Sequence, residues 1–204
     1  MKRVSLILGL LVLLFFCPQA WSITGLGIGI RGGMIQNYKN DNLDSIPTLD
    51  QDWLKKMPMV GVHIKIGTLR IIHLEASVEY AWKEKKIDLK VPITEDIIKA
   101  NFSIKDLSLN GTAKYMFSFP VLKPYLGAGV GIHRLVYELS SDDYSIPLPE
   151  DQSRLGFHGV GGFLLSFPAS PLELLAEVRY TSIQTKNEPT RYTTILAGIT
   201  FNLP

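Results

Sequence analysis

Residues 25–33 read GLGIGIRGG. Glycine takes the odd positions, Leu26, Ile28 and Ile30 take the even ones, and Arg31 sits among the glycines. A period of two marks a strand whose successive side chains face opposite sides. One side here is hydrocarbon. The other is nearly bare and carries a permanent charge. Glycine weakens a strand by about 0.5–1 kcal/mol relative to alanine, so such a run calls for a reason of space.

The same alternation continues down the chain. It predicts eight strands, at 24–38, 58–67, 71–84, 102–118, 124–138, 153–167, 171–184 and 190–203. Several exceed the usual strand of about six residues, and ten or more suit a tilted strand that crosses a bilayer. The connections 39–57, 85–101 and 139–152 are long and hold most of the Asp. Those at 68–70, 119–123 and 168–170 are short, and 185–189, expected as a fourth long loop, is brief. Long loops on one side and tight turns on the other fit an outer-membrane barrel, and an even strand number puts both termini on the short side.

The two faces differ in kind. Strand three sets Ile72, Leu74, Ala76, Val78, Tyr80 and Trp82 against His73, Glu75, Ser77, Glu79 and Lys83. Strand four sets Leu107, Leu109, Ala113, Tyr115 and Phe117 against Ser108, Asn110, Thr112 and Lys114. Strand seven sets Leu172, Leu174, Ala176, Val178 and Tyr180 against Glu173, Glu177 and Arg179. Strand six, LGFHGVGGFLLSF, leaves its parity open. A polar face that mixes glycine with charge suits the cramped interior of a narrow barrel. An unpaired charge there is costly, so Arg31, Lys65, Glu75, Glu79, Lys114, Glu173, Glu177 and Arg179 are expected to form an ion-pair network that fills the bore. The apolar face then meets lipid. Tyr80, Trp82, Tyr115, Phe117 and Tyr180 lie near strand ends, where aromatic girdles belong.

The first residues are read separately. Met1-Lys2-Arg3 is a basic start, residues 4–16 are an apolar run, and Ala20 and Ser22 hold the spacing of a small-residue cleavage site. This predicts a cleaved signal peptide at 1–22 and a barrel domain at 23–204. Losing Lys2 and Arg3 lowers the 21 basic residues to 19, level with the 19 acidic ones. A neutral mature chain speaks against nucleic acid as a partner. Cys17 leaves with the signal, so disulfides do not hold the fold. No later segment has 18 consecutive apolar residues, which excludes a helical membrane protein but not a barrel.

With these segments in view the chain resembles the small outer-membrane β-barrel domain family, the eight-stranded group that includes the membrane domain of outer-membrane protein A and outer-membrane protein X. The matching stretches are GLGIGIRGG, LEASVEYAWKE, LSLNGTAKYMF, PYLGAGVGI, ELLAEVRYTS and ILAGITF, spread over nearly all of residues 23–204. The resemblance implies an all-β, eight-stranded antiparallel up-and-down transmembrane barrel, without a cofactor or catalytic residue. Family members commonly end on an aromatic residue read by the barrel-assembly machinery; here the last aromatic, Phe201, is followed by Asn-Leu-Pro.

Other constellations are weighed against a plain polar interior. His63, His73, His133 and His158 all share the lumen parity, and a hairpin register between strands five and six would set His133 beside His158 as a two-His metal site or a general base. A lipid-modifying hydrolase would need a Ser/His set, such as Ser103 or Ser153 with His133 or His158; no local His-x-Ser-Asn run is present. Asp50, Asp52, Asp142 and Asp143 lack the spacing of a calcium loop, and Lys85, Lys86 and Lys90 are placed to meet lipopolysaccharide phosphates. The expectation is a monomeric outer-membrane protein with no metal, cofactor or catalytic residues, acting in membrane integrity, adhesion or recognition. Its partners are outer-membrane lipids, including lipopolysaccharide, and the assembly machinery. The alternatives are a hydrolase of lipid A or phospholipid, and a soluble periplasmic barrel that holds an apolar ligand.

Overall fold

The structure is a computed structural model that describes residues 25–39, 56–67, 71–90, 97–117, 119–141, 145–147, 152–167, 170–185 and 188–203. Its strands are β1 (Leu26–Lys39), β2 (Lys56–Ile66), β3 (Ile72–Lys90), β4 (Ile97–Met116), β5 (Leu122–Ser141), β6 (Ser145–Pro147), β7 (Gln152–Ser166), β8 (Leu172–Ile183) and β9 (Thr190–Asn202). The sheet runs β4-β3-β2-β1-β9-β8-β7-β5, and β4 also pairs with β5, so eight strands close into an antiparallel barrel. The short β6 extends the β5 edge beyond the end of β7. Gly67 N–H donates to Gly25 O and Leu203 N–H to Leu26 O, at 3.0 and 2.8 Å, which ties both ends of the described chain to the short-turn side.

The barrel is inside out relative to a soluble one. Ile30 is 65 % exposed, Leu126 61 % and Val62 54 %, whereas Arg31, Glu177 and Arg179 are buried to within 3 %. An apolar band of this extent in water would be an aggregation surface; facing acyl chains it is the stable arrangement. Ile28, Val62, Ile64 and Val178 all point outward. That removes the soluble barrel with an apolar ligand cavity.

Several expectations are corrected. The connection 85–101 is mostly strand: β3 runs on to Lys90 and β4 starts at Ile97. The cause is visible in KKIDLK, where alternation persists but charge takes both faces once the strand leaves the membrane. β5 likewise continues to Ser141, and β6 lies inside the predicted loop 139–152. Most of the loop 39–57, together with Asp50, Asp52, Asp142 and Asp143, lies outside the described residues. The open parity of β7 resolves with His158, Val160 and Leu164 inward and Phe157 and Phe163 outward. Near the end of β1, Asn37 adopts φ 53° and the pairing with β9 shifts between Gln36 and Lys39. The bulge flips parity, so Ile35 and Tyr38 both face inward.

Candidate functional site

The lumen is built in layers. At its middle, six charges form a closed cycle. Arg31 Nη1 donates to Glu75 Oε1 at 2.8 Å, and Lys114 Nζ bridges Glu75 Oε2 and Glu177 Oε2 at 2.8 and 2.7 Å. Arg179 Nη2 donates to Glu177 Oε1 at 2.9 Å, and its Nη1 meets both oxygens of Glu79 at 2.8 and 2.9 Å. Arg31 Nη2 closes the cycle 2.8 Å from Glu79 Oε1, as an ionic contact without hydrogen-bond alignment. Three cations alternate with three carboxylates, so the ring is neutral and each carboxylate meets two cations. This is the condition under which buried charges are tolerated. Tyr125 OH also donates to Glu177 Oε2, at 2.9 Å.

Glycine makes the ring and its surroundings possible. Gly61 stands between Arg31 on β1 and Glu79 on β3 in the register. Gly162 stands between Tyr125 on β5 and Glu177 on β8. Gly29 stands between His63 and Thr200, whose side chains bond at 2.8 Å; Gly129 stands between Thr112 and His158, also bonded at 2.8 Å. In each triplet one side chain crosses the glycine to reach the strand beyond it. A Cβ on Gly29 would lie 2.4 Å from the His63 ring, and one on Gly162 would lie 2.7 Å from the Tyr125 hydroxyl. The bare face of GLGIGIRGG is thus the floor over which neighbouring side chains pass.

Toward the short-turn end, Lys65 pairs with Glu173, which also accepts from Ser166 Oγ at 2.8 Å. Met116, Tyr125, Val160 and Leu164 form a small apolar cluster there. On the other side of the ring, Asp106 Oδ2 contacts His133 Nδ1 at 3.2 Å and accepts from Tyr192 OH at 3.4 Å. Beyond that the bore is apolar and aromatic: Tyr38 stacks on Tyr192 with centroids 5.8 Å apart, amid Met57, Phe102, Ile104 and Ile183. The outer end of the bore is therefore filled by aromatic and apolar side chains, not by the ion pairs expected to fill it throughout. Lys83 stands apart from the ring and donates to the Lys56 carbonyl.

The histidines do not form one site. In the β5–β7 register His133 faces Arg154 and His158 faces Gly129, so the two are not side by side. His63 and His158 each bond a threonine, His133 meets Asp106, and His73 is only partly buried. Among the described residues no group of three or more His, Cys, Asp or Glu is arranged to hold a metal ion. The Ser/His sets are not assembled either. Ser103 Oγ donates to Glu138 at 3.4 Å on the outward parity, and Ser153 is exposed on the outer wall. Asp106, Tyr125, Thr112 and Thr200 supply the remaining partners. Their signal was available: each lies on the lumen parity of a strand already recognised.

The outer membrane protein beta-barrel domain family matches residues 8–202. The chain belongs to this family. It is a bacterial outer-membrane β-barrel. Neisserial surface protein A is similar in structure, at 15 % identity over 88 % of this chain and 97 % of that chain, with a TM-score of 0.56. Ail of Yersinia pestis is 13 % identical over 88 % and 97 %, with a TM-score of 0.49. OprG of Pseudomonas aeruginosa is 14 % identical over 88 % and 96 %, also at 0.49. At such identities the likeness is one of fold. No curated protein matches the sequence. As a member of this family the chain crosses the membrane by strands, with the short turns on the periplasmic side.

Proposed function

We propose that this barrel is non-catalytic and serves a structural and surface-interaction role in the outer membrane, with its bore plugged. The observation that carries the reading is the closed ring of Arg31, Glu75, Lys114, Glu177, Arg179 and Glu79, capped on the outer side by the Tyr38–Tyr192 layer. Side chains tied to one another across an eight-stranded bore leave no continuous water path of porin width. Interaction then falls to the lipid-facing wall and to the part of β3, β4 and β5 that rises past the outer girdle. The protein works as a monomer, is inserted by the barrel-assembly machinery, and contacts lipopolysaccharide. Residues 1–22 are removed on export, so the mature protein starts at Ile23.

Planar-bilayer conductance and liposome swelling test the plug. The expected result is no sugar uptake and no stable porin-sized steps; sustained steps of that size would overturn it. Intact mass of protein recovered from outer membranes checks the cleavage point.

A further inference from the structure

Between the charge ring and the tyrosine layer the bore contains a cavity of about 10 Å³. Every barrel strand except β7 contributes to its wall. The cause is side-chain length. The ring residues below and the aromatic rings above extend far into the bore, whereas the layer between them is lined by the short side chains of Ser108, Thr181 and Thr194.

Three atoms on residues of this wall have no hydrogen-bond partner among the described residues: Asp106 Oδ1, His133 Nε2 and Arg179 Nε. The three residues are 3, 1 and 2 % exposed. The other oxygen of Asp106 is already taken, by His133 Nδ1 at 3.2 Å and Tyr192 OH at 3.4 Å. Arg179 directs Nη1 to Glu79 and Nη2 to Glu177. A buried polar atom left unpaired loses its hydration and gains nothing in return.

The three atoms specify what fits between them. With Nδ1–H donating to Asp106 Oδ2, neutral His133 presents Nε2 as an acceptor. A guest therefore has to donate to Asp106 Oδ1 and to His133 Nε2, and to accept from Arg179 Nε–H. Water has two donors and two lone pairs and does all three. A monovalent cation would suit the two acceptors, but it would face the Arg179 guanidinium and could accept nothing from it. Size agrees: a cavity of ~10–15 Å³ holds one water molecule, and a buried water makes about three hydrogen bonds.

We propose that Asp106, His133 and Arg179 form a binding site for a single water molecule inside the bore. The water joins the charge ring, to which Arg179 belongs, to the Asp106–His133–Tyr192 layer above it. The plug is then one hydrogen-bonded unit from Glu75 to Tyr192 rather than two layers that only touch.

The test is a pair of crystal structures of the folded barrel, grown in sodium and in rubidium salts. The expected result is one density peak at about 2.6–3.2 Å from Asp106 Oδ1 and from His133 Nε2 or Arg179 Nε, the same in both salts and without rubidium anomalous signal. Ala81→Val asks the same question in solution. Ala81 is 3 % exposed and lines the cavity from β3. Its added methyl groups should displace the water, erase the peak and lower the urea midpoint, because Asp106 Oδ1 is left unpaired. In a dry cavity the same methyl groups would improve packing and raise the midpoint. Unboiled gel mobility reports folding of the variant, and the two wild-type crystals decide the matter if it does not fold. A rubidium peak at the site, an ordered cavity without density, or a raised midpoint for Ala81→Val would overturn the water site.

Discussion

Replacing Gly129 by alanine separates a glycine needed for space from a glycine that is merely present. Gly129 lies between Thr112 and His158, and a Cβ there would sit 2.2 Å from the Gly111 carbonyl oxygen and 2.4 Å from His158 Nε2. The imidazole must move, and the His158–Thr112 hydrogen bond of 2.8 Å is lost with it. Buried donors and acceptors left without partners cost ~1–3 kcal/mol. Overpacking adds ~1–3 kcal/mol, and the favourable glycine-to-alanine change returns only ~0.5–1 kcal/mol. The net expectation is a loss of about 1–5 kcal/mol. Gly111 is the internal control: it faces outward on β4, and a Cβ there has nothing within 4 Å. Its alanine variant should be neutral or slightly stabilised. Urea titration of the barrel in lipid vesicles, read by unboiled gel mobility and tryptophan fluorescence, compares the two. The double variant G129A/H158A should cost about 1–2 kcal/mol less than the sum of its parts, because the ring is no longer there to collide. If G129A is no worse than G111A, or the double variant is additive, then the glycines are not the floor of the crossing side chains.

Removing one carboxylate from the ring by Glu177→Gln leaves Lys114, Arg179 and Arg31 against two carboxylates. It should cost ~3–5 kcal/mol in the same titration, whereas the neutral pair K114M/E177Q should recover much of that loss. Asn37→Val places a β-branched residue at φ 53° and should lower stability by ~1 kcal/mol or more, while Asn37→Gly is tolerated. At and above the outer girdle, the hydrogen bond and charge of Lys105 hold the Glu138 carboxyl below the usual range, and Glu138 in turn raises Lys105. The Glu138 share of that contact is full above the unfolded glutamate value of about 4.3 and fades as pH falls through its lowered folded value. The Lys105 share is full at and below the unfolded lysine value of about 10.4, and is lost as pH rises through the raised folded one. The pair is solvent-screened, so Glu138→Gln should remove well under 1 kcal/mol, measured as a difference between pH 7 and pH 3.

Parity carried most of the fold. Leu26, Ile28 and Ile30 against Gly27, Gly29 and Arg31 is a local fact, readable because the strand period is two whatever the chain does elsewhere. Arg31, Lys65, Glu75, Glu79, Lys114, Glu173, Glu177 and Arg179 all lie on the buried parity of their strands. Parity failed where the backbone broke period, at the Asn37 bulge that turns Tyr38 inward. It also failed where the strands left the membrane, since beyond the lipid belt neither face has to be apolar and the KKIDLK extension reads as loop.

From its sequence alone the chain determines which residues look inward and that the inward charges have to be paired. Who pairs with whom is decided only by closure. Arg31 reaches Glu75 across 44 residues and Arg179 reaches Glu79 across 100. Those meetings depend on the stagger between strands and on the pairing of β4 with β5 that shuts the barrel, both of which are collective properties of eight strands. The same closure brings β9 beside β1, and so sets Arg191 opposite Lys39.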